Sequence, residues 1–186
     1  MFPYLEQLNM LIAVCSLIAL AILVIGIVWY TIKRESFTQL YAKQGEVKVG
    51  MYIMYGSFAF ALVGTIMSLL YSEVFDFVPC GLCWLQRVFL FPQVVLLGIA
   101  LYKKDRSVAD TLIILSIIGA FFAGYQYILQ MTTPVSTVCL ASEAESCAIP
   151  VISEFGFVTF PLISLILFLW QIALIALVKN ITPKNS

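Results

Sequence analysis

Five long stretches without a charged residue constrain this chain more than any other feature. They span residues 7–32, 49–72, 88–102, 111–131 and 155–178. A bilayer core of about 30 Å needs about 20 helical residues. Four stretches reach that length unaided, and the third reaches it if its helix starts near Trp84 and carries Arg87 in its first turn. Hydrophobic residues make up 62% of the 186 positions, more than a soluble domain of this size can bury. The chain is therefore predicted to be an all-α, polytopic membrane protein with five helices.

The first stretch is predicted to be a retained helix rather than a cleaved secretory signal. Residues 1–7 contain no Lys or Arg, and the apolar run that follows is longer than the roughly 7–15 residues of a signal core. None of the five stretches alternates with the period of a strand, which excludes a membrane β-barrel.

The basic residues predict the orientation. Nine of the ten lie in segments that five spans would place on one side of the membrane; they are Lys33, Arg34, Lys43, Lys48, Lys103, Lys104, Arg106, Lys179 and Lys184. By the positive-inside rule that side is cytoplasmic. The N-terminus is then outside and the C-terminus inside.

This orientation puts four of the five cysteines on the outer, oxidising side. Cys80 and Cys83 precede the third span, and Cys139 and Cys147 lie in the last outer loop. Four outer thiols fit two disulfides in a compartment where disulfides persist. A bond across the polar loop between Cys139 and Cys147 would be exposed and labile. Cys15, midway along the first span, is predicted to be a small, buried core residue.

The first cysteine pair lies where water meets lipid, at the start of a helix. The unpaired N–H groups of a helix N-terminus favour a thiolate. Arg87 follows Cys83 by four positions and so shares its helix face. A cation there can stabilise the Cys83 thiolate and donate hydrogen bonds to a lipid-soluble acceptor. Redox exchange between a protein disulfide and a molecule in the membrane is the leading interpretation.

Other interpretations of these residues stay open. The two cysteine pairs could be structural staples, and Arg87 could simply extend to the interface. Zinc is disfavoured because the chain has no His and seven residues separate Cys139 from Cys147. Interhelical hydrogen bonds are the expected role of four glutamines, Gln86, Gln93, Gln126 and Gln130. Close helix contacts are expected at four glycines, Gly56, Gly64, Gly119 and Gly124. No nucleic-acid-binding patch is present.

The run Cys80-Gly-Leu-Cys-Trp-Leu-Gln-Arg87, with Pro92 five positions later, resembles the signature of the DsbB/BdbC family of disulfide-bond formation proteins. Members of that family are membrane quinone oxidoreductases that reoxidise a thioredoxin-fold thiol oxidase. Gly156-Phe-Val-Thr-Phe-Pro161, which runs into the last span, is similar to the BdbC branch. The resemblance covers roughly residues 51–178. It implies a disulfide-forming protein dithiol:quinone oxidoreductase in the bacterial cytoplasmic membrane, a DsbA/BdbD-like extracytoplasmic partner, and ubiquinone or menaquinone as cofactor.

The resemblance also implies two parts in the chain. Residues 50–186 would form the DsbB-like four-helix bundle with two outer cysteine-containing loops. Residues 1–49 would add an N-terminal transmembrane helix, from about Asn9 to Ile32, and a cytoplasmic loop. The role of that extra helix is open. The loop between Cys139 and Cys147 is also shorter than in the family's proteobacterial members.

A relay of disulfides is the mechanism that the resemblance implies, with all four outer cysteines catalytic and with Cys83 and Arg87 at the quinone. A reduced partner protein would attack a disulfide between Cys139 and Cys147, at Cys139. Cys147 would then attack Cys80, which leaves Cys83 as a thiolate facing the quinone.

Two alternative functions remain. A quinone reductase resembling vitamin K epoxide reductase has a similar four-helix arrangement, but its membrane-facing cysteine pair lies on a later helix. A transporter or assembly factor with two structural disulfides would need no redox chemistry.

Overall fold

The computed structural model describes residues 4–33, 46–105, 107–132 and 153–181. Within these ranges five helices are long and apolar enough to cross a membrane, which confirms the prediction of a polytopic all-α protein. The loop that carries Cys139 and Cys147 lies outside the described residues. So do four of the basic residues used to predict the orientation, Arg34, Lys43, Arg106 and Lys184.

The helices agree closely with the charge-free stretches. Their bounds are Leu5–Ile32 for α1, Glu46–Leu69 for α2, Gly81–Lys103 for α3, Ala109–Thr132 for α4 and Phe160–Ile181 for α5. The third helix includes Arg87 near its start, as predicted from the number of residues that a span needs. After Leu69, α2 widens into a π-helical turn, Leu70–Val74. Such wide turns occur mostly as single insertions near functional sites.

The last four helices form a closed ring. α5 packs against α4 and α2. α3 packs against the same two helices on the opposite side of the ring. The ring buries one apolar core to which every one of these helices contributes, built from Ala61, Leu90, Leu97, Leu112, Ala123, Phe168 and Ile175. α1 lies outside the ring, in contact with α5.

At two of the four predicted glycine positions, the absence of a side chain lets a neighbouring helix pack closely. A Cβ atom on Gly119 would lie 2.4 Å from ring carbons of Phe168, and one on Gly64 would overlap the side chain of Leu167. Nothing lies within 4 Å of the corresponding point on Gly56 or Gly124. The prediction of close contacts there was wrong, because neither faces a neighbouring helix at short range.

Buried amides join the helices, as predicted for Gln93 and, beyond the prediction, also at Gln171. Gln93 on α3 accepts a hydrogen bond from the Ser116 hydroxyl of α4 at 3.2 Å. Gln171 on α5 donates to the backbone carbonyl oxygen of Ser57 on α2 at 2.9 Å. In an apolar medium such bonds satisfy groups that have no water available. They fix the rotational setting of each helix about its own axis.

Candidate functional site

The first cysteine pair forms the opening turn of α3. Pro79 ends an extended segment, and Cys80 takes the N-cap position with an extended backbone, so the helix begins at Gly81. The side chain of Cys83, one turn later, then lies beside that of Cys80, and the two sulfur atoms are 3.0 Å apart. Both residues are partly buried. The pair is in contact, as exchange within a Cys-x-x-Cys ring requires.

The two sulfurs differ in their surroundings. The contact with Cys83 and, secondarily, burial hold the pKa of Cys80 above its ordinary value. The thiolate form of Cys80 is therefore disfavoured. Either sulfur can be the donor in the contact between them, and Cys83 Sγ also lies 3.8 Å from the side-chain oxygen of Gln126 on α4.

A glutamine from α4 completes the surroundings of the sulfurs. Gln126 donates from Nε2 to Cys80 Sγ at 3.2 Å and to Cys83 Sγ at 3.4 Å. Its carbonyl oxygen accepts from Gln86 Nε2 at 2.7 Å. Because Gln86 occupies the oxygen, the Gln126 amide is held with its NH₂ group toward the sulfurs. All of these groups lie at the same end of the ring.

Arg87 is buried and bound to a neighbouring helix. Its Nε donates to the Ser68 hydroxyl at 2.8 Å, and a second guanidinium nitrogen donates to the Ser68 carbonyl oxygen at 2.7 Å. Its guanidinium carbon also lies 5.2 Å from the centroid of the Trp84 ring. Only 8% of the side chain is exposed. An arginine that merely extended to the headgroups would point outward, so the structure disfavours that alternative.

A cavity of about 780 Å³ opens beside these residues. Its polar end is lined by Cys80, Cys83, Gln86, Arg87 and Gln126. The remaining lining is mostly apolar and comes from α1, α2 and α5. A cavity of this size with a few convergent polar groups is typical of a small-molecule site. It can hold an apolar molecule whose polar end meets the sulfurs and the guanidinium.

The structure thus brings together three of the five predicted site residues, Cys80, Cys83 and Arg87. Cys139 and Cys147 fall outside the described residues, so their roles stay predictions.

The prediction for Cys15 was wrong. Its side chain is exposed and borders the cavity instead of lying in the core. The physical reason is that α1 stands outside the ring, so the middle of this apolar span is not the middle of a packed bundle.

Sequence reasoning missed that Gln126 contacts the sulfurs and that Ser68 binds Arg87. Gln126 was expected only to bond another helix, which it also does through Gln86. One signal was present: Gln126 lies near the C-terminal end of α4, at the same depth as Cys83 near the N-terminal end of the antiparallel α3. A polar side chain at matching depth is a natural partner.

Comparison with known proteins agrees with this geometry. The family model described as "Disulfide bond formation protein DsbB" matches residues 50–178. The "SPbeta prophage-derived disulfide bond formation protein B" of Bacillus subtilis (strain 168) is 41% identical over 131 residues, which cover 69% of this chain and 88% of that protein. The "Disulfide bond formation protein C" of the same organism is 35% identical over 127 residues, covering 68% and 92%.

A third relative is the "Probable disulfide formation protein C 1" of Bacillus anthracis. It is 36% identical over 142 residues, which cover 76% of this chain and 99% of that protein. No solved structure was found to match the chain. α1 lies outside the residues that the family model matches.

Proposed function

Because the chain belongs to the DsbB family of disulfide bond formation proteins, we propose that it is a quinone-dependent thiol oxidase of the cell membrane. It takes two electrons from the dithiol of an extracytoplasmic thioredoxin-fold protein and delivers them to a membrane quinone. Residues 50–186 carry this chemistry, and residues 1–49 are an addition to it. The observation that carries the proposal is the cavity that holds both sulfurs of the first pair beside a buried arginine.

The chemistry of the lining fits a quinone. A quinone head is flat and apolar except for carbonyl oxygens, which accept hydrogen bonds. Within the described part of the chain, two nitrogens of Arg87 are occupied by Ser68 and the third is available to donate. The fixed fork of the guanidinium suits a carbonyl oxygen better than a flexible ammonium does. Beyond this polar end, the apolar lining suits an isoprenoid tail.

The quinone, when bound, accepts two electrons and two protons. The protein's own residues make those electrons available at one atom. Attack on Cys80 Sγ breaks its bond to Cys83 and releases the Cys83 sulfur with the electron pair of that bond. The Gln126 amide at 3.4 Å and the nearby Arg87 charge stabilise the negative sulfur that results. A charged acceptor roughly doubles the strength of such hydrogen bonds.

The attacking sulfur on Cys80 is supplied by the second pair. A partner's thiolate attacks Cys139 and breaks the bond to Cys147, which leaves as a thiolate. Cys147 then attacks Cys80. The partner's second thiolate then attacks its own sulfur in the mixed disulfide with Cys139, which forms the partner's disulfide and releases the Cys139 thiolate. Cys139 attacks Cys147, which restores the bond between them and releases Cys80. Each exchange forms one disulfide and breaks one, so the two electrons and two protons of the partner's dithiol are held by Cys80 and Cys83 until they pass to the quinone and the Cys80–Cys83 bond re-forms.

The proposed orientation has the N-terminus and both cysteine pairs outside the cytoplasmic membrane of a bacterium and the C-terminus in the cytoplasm. It rests on the one-sided basic residues. The fold supports the alternating direction of the spans that this orientation requires. Asn9 bonds to Tyr71, and Cys80 bonds to Gln126, at one end of the bundle. Lys179 and Asp110 pair at the other.

The test is direct quinone reduction in detergent by the purified protein, with a reduced thioredoxin-fold protein as the electron donor. One disulfide should form in the donor for each quinone reduced, and Cys83→Ser should abolish both. Ala21→Ser is the control, because Ala21 is exposed and does not border the cavity, so this variant should retain activity. Formation of donor disulfides without loss of quinone would contradict the proposal.

A further inference from the structure

The cavity is not enclosed by the family bundle alone. α1 supplies a whole wall of it, through residues spaced three or four positions apart along one face; they are Leu8, Leu11, Ile12, Cys15, Ser16 and Ala19. This face runs about 16 Å along the helix axis, from the level of the cysteines toward the middle of the membrane. The family match begins at residue 50, so this wall is a property of the present chain.

α1 is attached at three depths by hydrogen bonds. The Tyr71 hydroxyl donates to the Asn9 side chain at 2.5 Å, and Trp170 Nε1 donates to the Ala19 carbonyl oxygen at 3.1 Å. Near the other end, Asn180 Nδ2 donates to the Tyr30 hydroxyl at 3.5 Å. Successive points are about 15 Å apart along α1. The helix is therefore held along its whole length.

Between these points α1 does not close against the ring. Along its 28 residues, only Ala13, Ser16 and Leu23 are buried. Small side chains face the gap, namely Cys15, Ser16 and Ala19 on α1. A helix that packed for stability alone would fill this space with larger residues. The cavity therefore extends from the sulfurs along α1, between this helix and the bundle.

We infer that α1 is the wall of the acceptor site that binds the isoprenoid tail of the quinone, and so determines which tail lengths the enzyme uses best. This inference rests on the proposed function. The head of the quinone lies at Arg87 and Cys83, and its tail extends along the α1 face from Leu8 to Ala19. Only a long tail reaches Ala19, whereas a short one ends beside the first half of the face.

The first experiment places a bulky residue at the deep end of the wall. Ala19→Phe should raise the KM for a long-tailed quinone by roughly tenfold and leave the KM for its short-tailed homologue and kcat unchanged. Ala21→Phe is the matched control, because Ala21 is exposed and does not border the cavity. Equal KM values for the two variants with the long-tailed quinone would overturn the inference.

The second experiment measures binding of the tail directly and does not depend on catalytic activity. A quinone with a photoreactive group at the end of its tail is irradiated with the full-length protein, and the modified residues are mapped by mass spectrometry. Adducts on α1 between Leu8 and Ala19 are expected. If the protein reduces quinones but adducts lie only on α2 to α5, the inference fails and the proposed function stands. If the protein neither reduces nor is modified by any quinone, both fail.

Discussion

Gln126 reaches across from α4 to donate a hydrogen bond to Cys80 Sγ at 3.2 Å. The same Nε2 atom lies 3.4 Å from Cys83 Sγ, and Gln86 fixes the orientation of the amide. One side chain thus contacts both atoms of the bond that must break and re-form. Under the proposed function Gln126 is a positioning residue, which would hold the sulfurs and stabilise negative charge on them without exchanging electrons itself.

Replacement of Gln126 by Leu should reduce the rate of quinone reduction by roughly 10- to 150-fold, since a hydrogen bond to a charged group contributes about 1.5–3 kcal/mol. The ultraviolet absorbance of the Cys83 thiolate should fall in the reduced variant, which a purely structural role would not cause. Gln93→Leu is the matched control, because Gln93 bonds Ser116 away from the sulfurs. Full thiolate absorbance in Gln126→Leu would contradict the assignment.

Cys80 should react slowly with alkylating reagents in the reduced protein. Its pKa is raised by the contact with Cys83 and by burial, so at neutral pH less of it is the reactive thiolate than for a free cysteine. Its alkylation should become fast only at higher pH. Cys83→Ala removes the main cause and should make Cys80 react faster at the same pH, as measured by mass spectrometry of iodoacetamide-treated protein. An unchanged rate in that variant would mean that burial alone controls Cys80.

Substitutions of Arg87 should distinguish the effect of its positive charge from the effect of its planar guanidinium group. Arg87→Lys keeps the charge but loses the planar fork that binds Ser68, so the KM for quinone should rise while part of the thiol reactivity survives. Arg87→Met should lose both. Ser68→Ala removes one acceptor only and should give a smaller rise in KM than Arg87→Lys. Steady-state kinetics with a small dithiol as donor measures all three, and a normal KM in the Met variant would leave Arg87 without a role at the acceptor.

Substitutions in the two cysteine pairs should affect donor oxidation and quinone reduction differently. Cys147→Ser should stop oxidation of a protein donor, because Cys139 then has no disulfide bond for the donor's thiolate to attack. A small dithiol should still reduce the Cys80–Cys83 pair and, through it, quinone. Cys83→Ser should stop quinone reduction with either donor. The two donors are compared side by side in detergent. Normal oxidation of the protein donor by Cys147→Ser would make the second pair a structural staple.

The orientation predicts which thiols can be reached from outside. In reduced intact cells, a membrane-impermeant thiol reagent should label Cys139 and Cys147. Labelling should disappear in the variant that lacks both. If these thiols react only after the cells are broken open, the chain is inserted the other way round.

Much of the architecture follows from the sequence because the bilayer imposes simple requirements. A charge-free run of sufficient length must be a helix, and four-residue spacing must place Arg87 on the face of Cys83. Contacts between helices are harder to foresee, since they depend on how each helix is rotated and how closely it packs. For that reason the sequence did not reveal the Gln126 contacts with the sulfurs, and it misplaced Cys15. A uniformly apolar helix such as α1 carries no pattern that marks its inward face.

α1 is made before α2 to α5 and, because it buries only Ala13, Ser16 and Leu23, we expect it to be the last of the five to find its place. Its most apolar 18 residues have a mean hydropathy of 3.2, which makes the helix stable in the bilayer by itself. Its partners Tyr71, Trp170 and Asn180 belong to helices made later, and hydrogen bonds between membrane helices contribute only about 0.6–2 kcal/mol each. They hold α1 firmly only when the folded bundle presents all three together. We therefore expect a newly made chain to pass through a stage in which the bundle is complete but the proposed acceptor site lacks its α1 wall, and docking of α1 would end that stage.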